Sequence, residues 1–189
     1  MDPSSQADRP RRSVREAVEE LAARHGEARL VDACTALLEG APPEEHAEIA
    51  VGLSVHGTSV DHLRTSGYHD YWWPTWGARG LLYVWSPGAA PAVLRGLRHA
   101  HWRPAEMCLK VAARRELAEA AEEAVVLAGH ELARVRAVAV RTLGIVGDTE
   151  HVPVVRAGLD DADEQVRRSS GLALERLVAR LDLGPEQLP

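Results

Sequence analysis

A pattern that recurs every 31 residues limits what this chain can fold into more than any other feature. Val135-Arg136 is followed by Ala139, Thr142 and Leu143, and one period later Val166-Arg167 is followed by Ser170, Ala173 and Leu174. The same offset backwards gives Pro104, Cys108, Val111 and Ala112, and once more gives Trp73, Gly77, Gly80 and Leu81. Each unit starts on a bulky residue and places small or apolar ones at +4, +7 and +8. On a helix those positions share one stripe, the buried face of an amphipathic helix. A unit of this length cannot bury its apolar face alone, so a fixed period implies stacking of like on like.

A second, weaker helix precedes each of the last three units. Residues 89–98, 119–129 and 149–159 carry Val93/Leu94/Leu97, Ala124/Val125/Ala128 and Val154/Val155/Leu159. Turn signals separate the units at Ser86-Pro87-Gly88, Gly147-Asp148-Thr149 and Asp160-Asp161-Ala162-Asp163. Asp163 is placed to cap the helix that follows, its carboxylate accepting free backbone N–H groups. Small residues at +4 and +7 let paired helices approach closely. Upstream, residues 13–25, 27–39 and 43–56 read as three helices divided by Gly26, Gly40-Ala41-Pro42-Pro43 and Gly57. The expectation is one α-solenoid domain over 13–181, with divergent capping helices at 13–65 and repeats at 66–181. Residues 1–12, with Arg9, Pro10, Arg11 and Arg12, read as a flexible basic lead-in, and 182–189 as a C-terminal tail.

Val-Arg at a helix start, small residues at +4 and +7, Leu143-Gly144 after them and an Asp-rich turn resemble HEAT-like repeats of the short bacterial kind. The resemblance covers residues 66–181. It departs from the pattern at Pro104-Ala105 and at Trp73-Pro74, although proline in a first helical turn is tolerated. It implies an all-α fold, a right-handed α-solenoid of about six stacked antiparallel helix pairs. It further implies that the second helix of each pair lines a concave groove, and that the protein is a non-catalytic module taking a protein or peptide there.

The five Trp and three Tyr all lie between Tyr68 and Trp102, and the chain has no Phe. By register Trp73 is a core residue, and Trp76, at +3, sits at the edge of the buried stripe. Tyr71 and Trp72 precede the helix, where other units carry Arg134 and Gln165. Burial therefore accounts less well for Tyr68, Tyr71 and Trp72, and exposed rings are enriched among binding hot spots. The competing reading is a junction in which rings fill the gap between divergent and regular helices. At +6, Arg79, Lys110 and Arg141 succeed one another before Leu172, which places a basic row on one exposed edge. The expected binding residues are thus Tyr68, Tyr71, Trp72, Trp76, Arg79, Lys110 and Arg141. Trp72→Ala is the replacement that separates patch from junction.

A formal charge of −6 argues against wholesale nucleic-acid binding, which needs a net basic face, though a local basic stripe remains compatible with it. His56, Asp61, His62, His69 and Asp70 lie close together but match no metal-site spacing, and no GxSxG, P-loop or GxGxxG occurs. No metal, cofactor or catalytic residue is expected. Cys34 and Cys108 form no CxxC, which fits reduced thiols in a cytoplasm. The N-terminus carries no secretory signal pattern and no run is apolar enough for a membrane span. Two enzyme groups share the scaffold. Alkylpurine DNA glycosylases use aromatic residues and an acid in a basic cleft, a pattern that Tyr71, Trp72, Trp76 and Asp70 superficially suggest. The bilin lyase-type proteins share only the repeat, and a shared scaffold does not license a reaction.

Overall fold

The structure is a computed structural model that describes residues 13–55 and 58–184. The basic lead-in 1–12, His56, Gly57 and positions 185–189 of the expected C-terminal tail lie outside the described residues.

Helix α1 (Val14–His25) starts at a capping box: the Glu16 backbone N–H donates to Ser13 Oγ (3.2 Å), and the Ser13 N–H donates to the Glu16 carboxylate (2.8 Å). Gly26, at φ 85°, ends it in a backbone region that glycine enters freely. Helix α2 (Glu27–Leu38) buries Leu30, Val31, Cys34, Leu37 and Leu38. A 3-10 turn (Pro43–His46) leads into α3 (Ala47–Ser54), and a short α4 (Val60–Thr65) follows, capped by Ser59. The remaining helices are α5 (Trp72–Gly80), α6 (Ala90–Gly96), α7 (Trp102–Arg115), α8 (Ala121–Ala128), α9 (Ala133–Val146), α10 (Val152–Ala157) and α11 (Glu164–Leu181). Asp163 caps α11, its Oδ1 accepting from the N–H groups of Gln165 (2.9 Å) and Val166 (3.3 Å).

Helices α2, α5, α7, α9 and α11 pack in succession, each on the next, while α6, α8 and α10 each pack on the helix that follows them. At the N-terminal end α1 packs on α2 and α3, and α3 on α5. The stack is an α-solenoid, and among the described residues it holds five helix pairs plus the single α4. Six residues of α4 bury only Val60 and Leu63, too little apolar face to pair another helix. Buried side chains from Val18 to Leu183 form one continuous cluster.

The 31-residue stripe is the core of this stack. Its members are buried in all four units except Leu174, which is half-buried. Small residues bring successive helices into contact. A Cβ added at Gly77 would lie 2.5 Å from the Cys34 carbonyl oxygen and 2.9 Å from the Leu38 nitrogen, so α5 rides on the backbone of α2. Gly77→Ala is therefore expected to destabilise by about 1–3 kcal/mol in urea unfolding. Alanine's better helix propensity would by itself stabilise by ~0.5–1 kcal/mol, so an unchanged or raised midpoint overturns the close approach.

The Arg of Val-Arg ties the turns together. Arg136 grips Asp161 with two bonds, Nε to Oδ2 and Nη2 to Oδ1 (both 2.7 Å), and its Nη1 donates to the His130 carbonyl (2.9 Å). This contact holds the Asp161 carboxyl below the usual range, against the cost of burial. Arg167 repeats the local half of the motif, donating to the carbonyls of Asp161 and Ala162. Where Ala105 replaces the Arg, histidines hold the turn: His99 Nδ1 accepts from the His101 N–H (3.0 Å), and His101 Nδ1 accepts from the Arg103 N–H (3.2 Å). His130 Nδ1 accepts in the same way from Leu132 (2.9 Å).

Candidate functional site

The rings at the start of α5 divide into an inner and an outer set. Trp73 and Trp76 are 4% and 2% exposed, and they meet edge to face with centroids 5.1 Å apart. Tyr68 (5.4 Å) and Trp72 (5.9 Å) pack on Trp76 from outside. Trp76, expected as a binding residue at the edge of the buried stripe, is thus a core residue. The +3 position is buried in the later units too, at Val138 and Ser169, so the stripe is wider on that side than the helical pattern implied.

Tyr68, Tyr71 and Trp72 are half-buried. Tyr71 is stacked flat on His101, centroids 3.6 Å apart and planes 5° from parallel, with His69 at 5.5 Å. Burial and the nearby Arg103, His99 and His69 hold the pKa of His101 below the usual histidine range, so its Nδ1 stays free to cap α7. Trp72 faces Arg103 (4.7 Å), Arg103 faces Trp102 (4.4 Å), and Arg134 also lies over Trp102 (5.7 Å). Rings and guanidinium groups alternate along the N-terminal ends of α5, α7 and α9. The repeat period explains the column: Trp72, Arg103 and Arg134 occupy one register position in successive units, and Tyr71 and Trp102 the position before it.

Arg134 continues the column inward. Its Nε donates to Glu106 Oε1 (2.9 Å), which also accepts from Lys110 Nζ (2.7 Å). Glu106 is 3% exposed. Burial alone would raise its pKa, but the bonds from Lys110 and Arg134 outweigh it and bring the carboxyl below the usual range.

The basic row of the +6 position is not an exposed edge of like side chains. Arg79 turns inward and donates to the Leu53 carbonyl (2.5 Å), and burial lowers its pKa. Its neighbour α3 offers a free carbonyl at its C-terminal end, which a guanidinium satisfies better than solvent does beside a buried helix. Lys110 is drawn to Glu106, and Arg141 alone is exposed, bonded to its own helix at Ala137. Of the seven expected binding residues, then, Tyr68, Tyr71 and Trp72 come together, Trp76 and Arg79 face the interior, and Lys110 and Arg141 lie farther along. Sequence reasoning missed Arg103, Glu106 and the role of His101. The signal was available in two adjacent register positions, Trp72, Arg103 and Arg134 at one and Tyr71 and Trp102 at the other.

Open grooves lie elsewhere among the described residues, including two with charged linings. One of about 570 Å³ runs beside α9 and α11 between Arg141, Gln165, Arg168 and Leu172. The other, about 590 Å³, lies between α1 and α3 among Glu20, Arg24, Glu44, Glu48 and Asp61, remote from the rings. Among the described residues no three His, Cys, Asp or Glu side chains converge as a metal site requires. His69 is engaged by Tyr71, and Asp61 and His62 sit on α4. No helix among the described residues is long and apolar enough to cross a membrane.

Both thiols are buried, Cys34 against Gly80 and Cys108 against Gly96. Burial pushes Cys34 up to about 12 and Cys108 higher still, so neither carries thiolate at neutral pH. The native protein is expected to release no colour from Ellman's reagent within minutes, and both thiols to react on unfolding. A fast-reacting native thiol would contradict the burial.

Residues 90–175, from α6 through most of α11, match the family of HEAT repeats. No curated protein matches the chain.

Proposed function

We propose that this HEAT-like repeat protein, whose residues 90–175 match HEAT repeats, is a non-catalytic module that binds a protein or peptide across the ends of α5, α7 and α9. HEAT repeats generally mediate protein interactions. What supports this location is the half-buried outer set of rings, Tyr71, Trp72 and Trp102, which the core does not absorb. Large rigid rings beside guanidinium groups bury much area at little entropic cost, the make-up of an interaction hot spot. Lys110 and Arg141 extend the surface away from the rings, and Tyr68 supports it from behind. The two buried, unpaired thiols suit a reducing compartment such as the cytoplasm.

Nucleic-acid handling, including a glycosylase-like activity, is the reading this arrangement disfavours. Stacking of bases needs open ring faces. The faces of Tyr71 and Trp102 are occupied by His101, Arg103 and Arg134.

The test is photocrosslinking in the protein's own cell lysate, with benzoylphenylalanine at Tyr71 and, as control, at the exposed Glu150. A discrete protein adduct at Tyr71, absent at Glu150 and unchanged by nuclease, is expected. Equal adducts at both positions, or nucleic-acid adducts at Tyr71, would overturn the reading. A Trp72→Ala version should lose the adduct while still unfolding cooperatively.

A further inference from the structure

Four arginines are half-buried among the described residues: Arg79, Arg103, Arg115 and Arg136. Three of them are spent on the fold. Arg79 donates to the Leu53 carbonyl, Arg115 to the carbonyls of Leu81 and Leu82, and Arg136 to Asp161. The Arg103 side chain has no hydrogen bond and no ion pair among the described residues, only the two indole faces at 4.7 and 4.4 Å. Its N–H donors meet no protein acceptor and stay open to an incoming one.

The geometry says what kind of group does so. A guanidinium held between two ring faces has its plane fixed, so its N–H edge is left for an approaching acceptor. That edge is the fork that carboxylates fill with two parallel bonds. The local charge agrees. Arg103 lies beside Lys110 and Arg134, whose shared carboxylate, Glu106, is buried and already bonded to both. Farther along, the groove on α9 and α11 is mixed in charge, lined by Arg141 and Arg168 together with Asp163 and Glu164. An overall acidic chain, at −6, therefore carries a local basic cluster at Arg103, Lys110 and Arg134.

Resting on the binding role proposed above, we infer that Arg103 is a carboxylate receptor and that the partner is an extended peptide segment carrying Asp or Glu. The spacing of such a segment follows from the stack. Neighbouring helices pack about 8–10 Å apart, and three residues of a chain in the polyproline II conformation, one full turn, span about 9 Å and return the side chain to the same face. An acidic side chain on Arg103 thus sets a second, three residues on, against the exposed Arg134. Arg134 still has donors to give, because only its Nε is bonded to Glu106. Apolar residues between the acids would rest on the edges of Trp72 and Trp102.

The experiment is selection from a display library of random peptides of about 12 residues, on the wild type and in parallel on Arg103→Met. Selected peptides are then measured by fluorescence polarisation against wild type, Arg103→Met and Arg103→Lys. Enrichment of Asp or Glu pairs three apart on the wild type only is expected. Affinity should fall ~10- to 100-fold with Arg103→Met, and by a similar factor when the peptide acids become Gln, the scale of a charge-assisted bond. Arg103→Lys, which keeps the charge without the fork, should fall between; it also carries the test should Arg103→Met fold poorly. Enriched peptides without acids that still need Trp72 would leave the binding site standing and overturn the carboxylate receptor. No enrichment on the wild type would overturn both. Displacement of the selected peptides by an equimolar single-stranded oligonucleotide would give Arg103 to phosphate and overturn the inference.

Discussion

Trp76→Ala is expected to lower the stability by ~3–5 kcal/mol, the largest loss of any single aromatic replacement in this chain. Trp76 is the largest of the side chains that are essentially fully buried, and Tyr68, Trp72 and Trp73 all pack on it. Its removal takes away transfer free energy, leaves a cavity bounded by three other rings, and forfeits ring–ring contacts worth a further ~0.5–1.5 kcal/mol each. Those neighbours are themselves large and cannot collapse inward without leaving their own contacts. Urea unfolding followed by far-UV circular dichroism measures the effect. A loss under about 1 kcal/mol would mean that the ring is not where α5 meets the core, and the register of the first repeat would fall with it. Trp72→Ala provides the contrast. A half-buried ring has less area to lose, so its cost should be well below that of Trp76→Ala.

The second large effect concerns charge. Replacing both Lys110 and Arg134 by Met is expected to destabilise by ~3–5 kcal/mol at neutral pH, because the carboxylate of Glu106 is then buried without a partner. The pH dependence gives the sign. In the wild type the folded-state pKa of Glu106 is lowered, so its contribution is present at neutral pH and is lost as pH falls through that pKa. In the double variant only burial acts, and burial raises the pKa. Its penalty is therefore full at neutral pH and is relieved as acid protonates Glu106 in the folded state. The gap between the two proteins should narrow steadily from pH 7 to about pH 4, near the ordinary Glu pKa. Adding Glu106→Leu to the double variant should recover most of the loss, since an apolar replacement of a whole buried ion set is often neutral or better. A double variant as stable as wild type, with no pH trend, would place Glu106 in solvent.

Much of the fold was legible because its causes are local. The stripe at +4, +7 and +8 is set by helical geometry, and its buried members follow from Val135, Val166 and their neighbours without knowledge of what they pack on. Asp163 as a cap follows from the side chain's own reach to the nearby backbone. Helix ends were less legible. The helices expected over 119–129 and 149–159 begin as 3-10 turns and narrow to Ala121–Ala128 and Val152–Ala157, where Pro153 and the tight turns limit them. The short α4 was not expected at all, since six residues carry too little periodicity to read.

The candidate site was legible only in part, and the particular residues say why. Trp73, in the middle of the stripe, has only one direction in which to bury. Trp76 and Arg79 lie at its margins, where a long side chain reaches either the core or solvent, and what the neighbouring helix offers decides between them. For Trp76 the neighbours offer three rings; for Arg79, a free carbonyl at Leu53. The column of Trp72, Arg103, Trp102 and Arg134 has no local cause at all, because each contact within it crosses from one repeat to another or bridges adjacent residues only after the helices are stacked. By itself the sequence determined the repeat, its phase and its buried stripe, through periodicities that act within one helix. The tertiary structure alone decided which cations are spent on the fold and which one is left between two indole rings, since that depends on how successive units are set side by side.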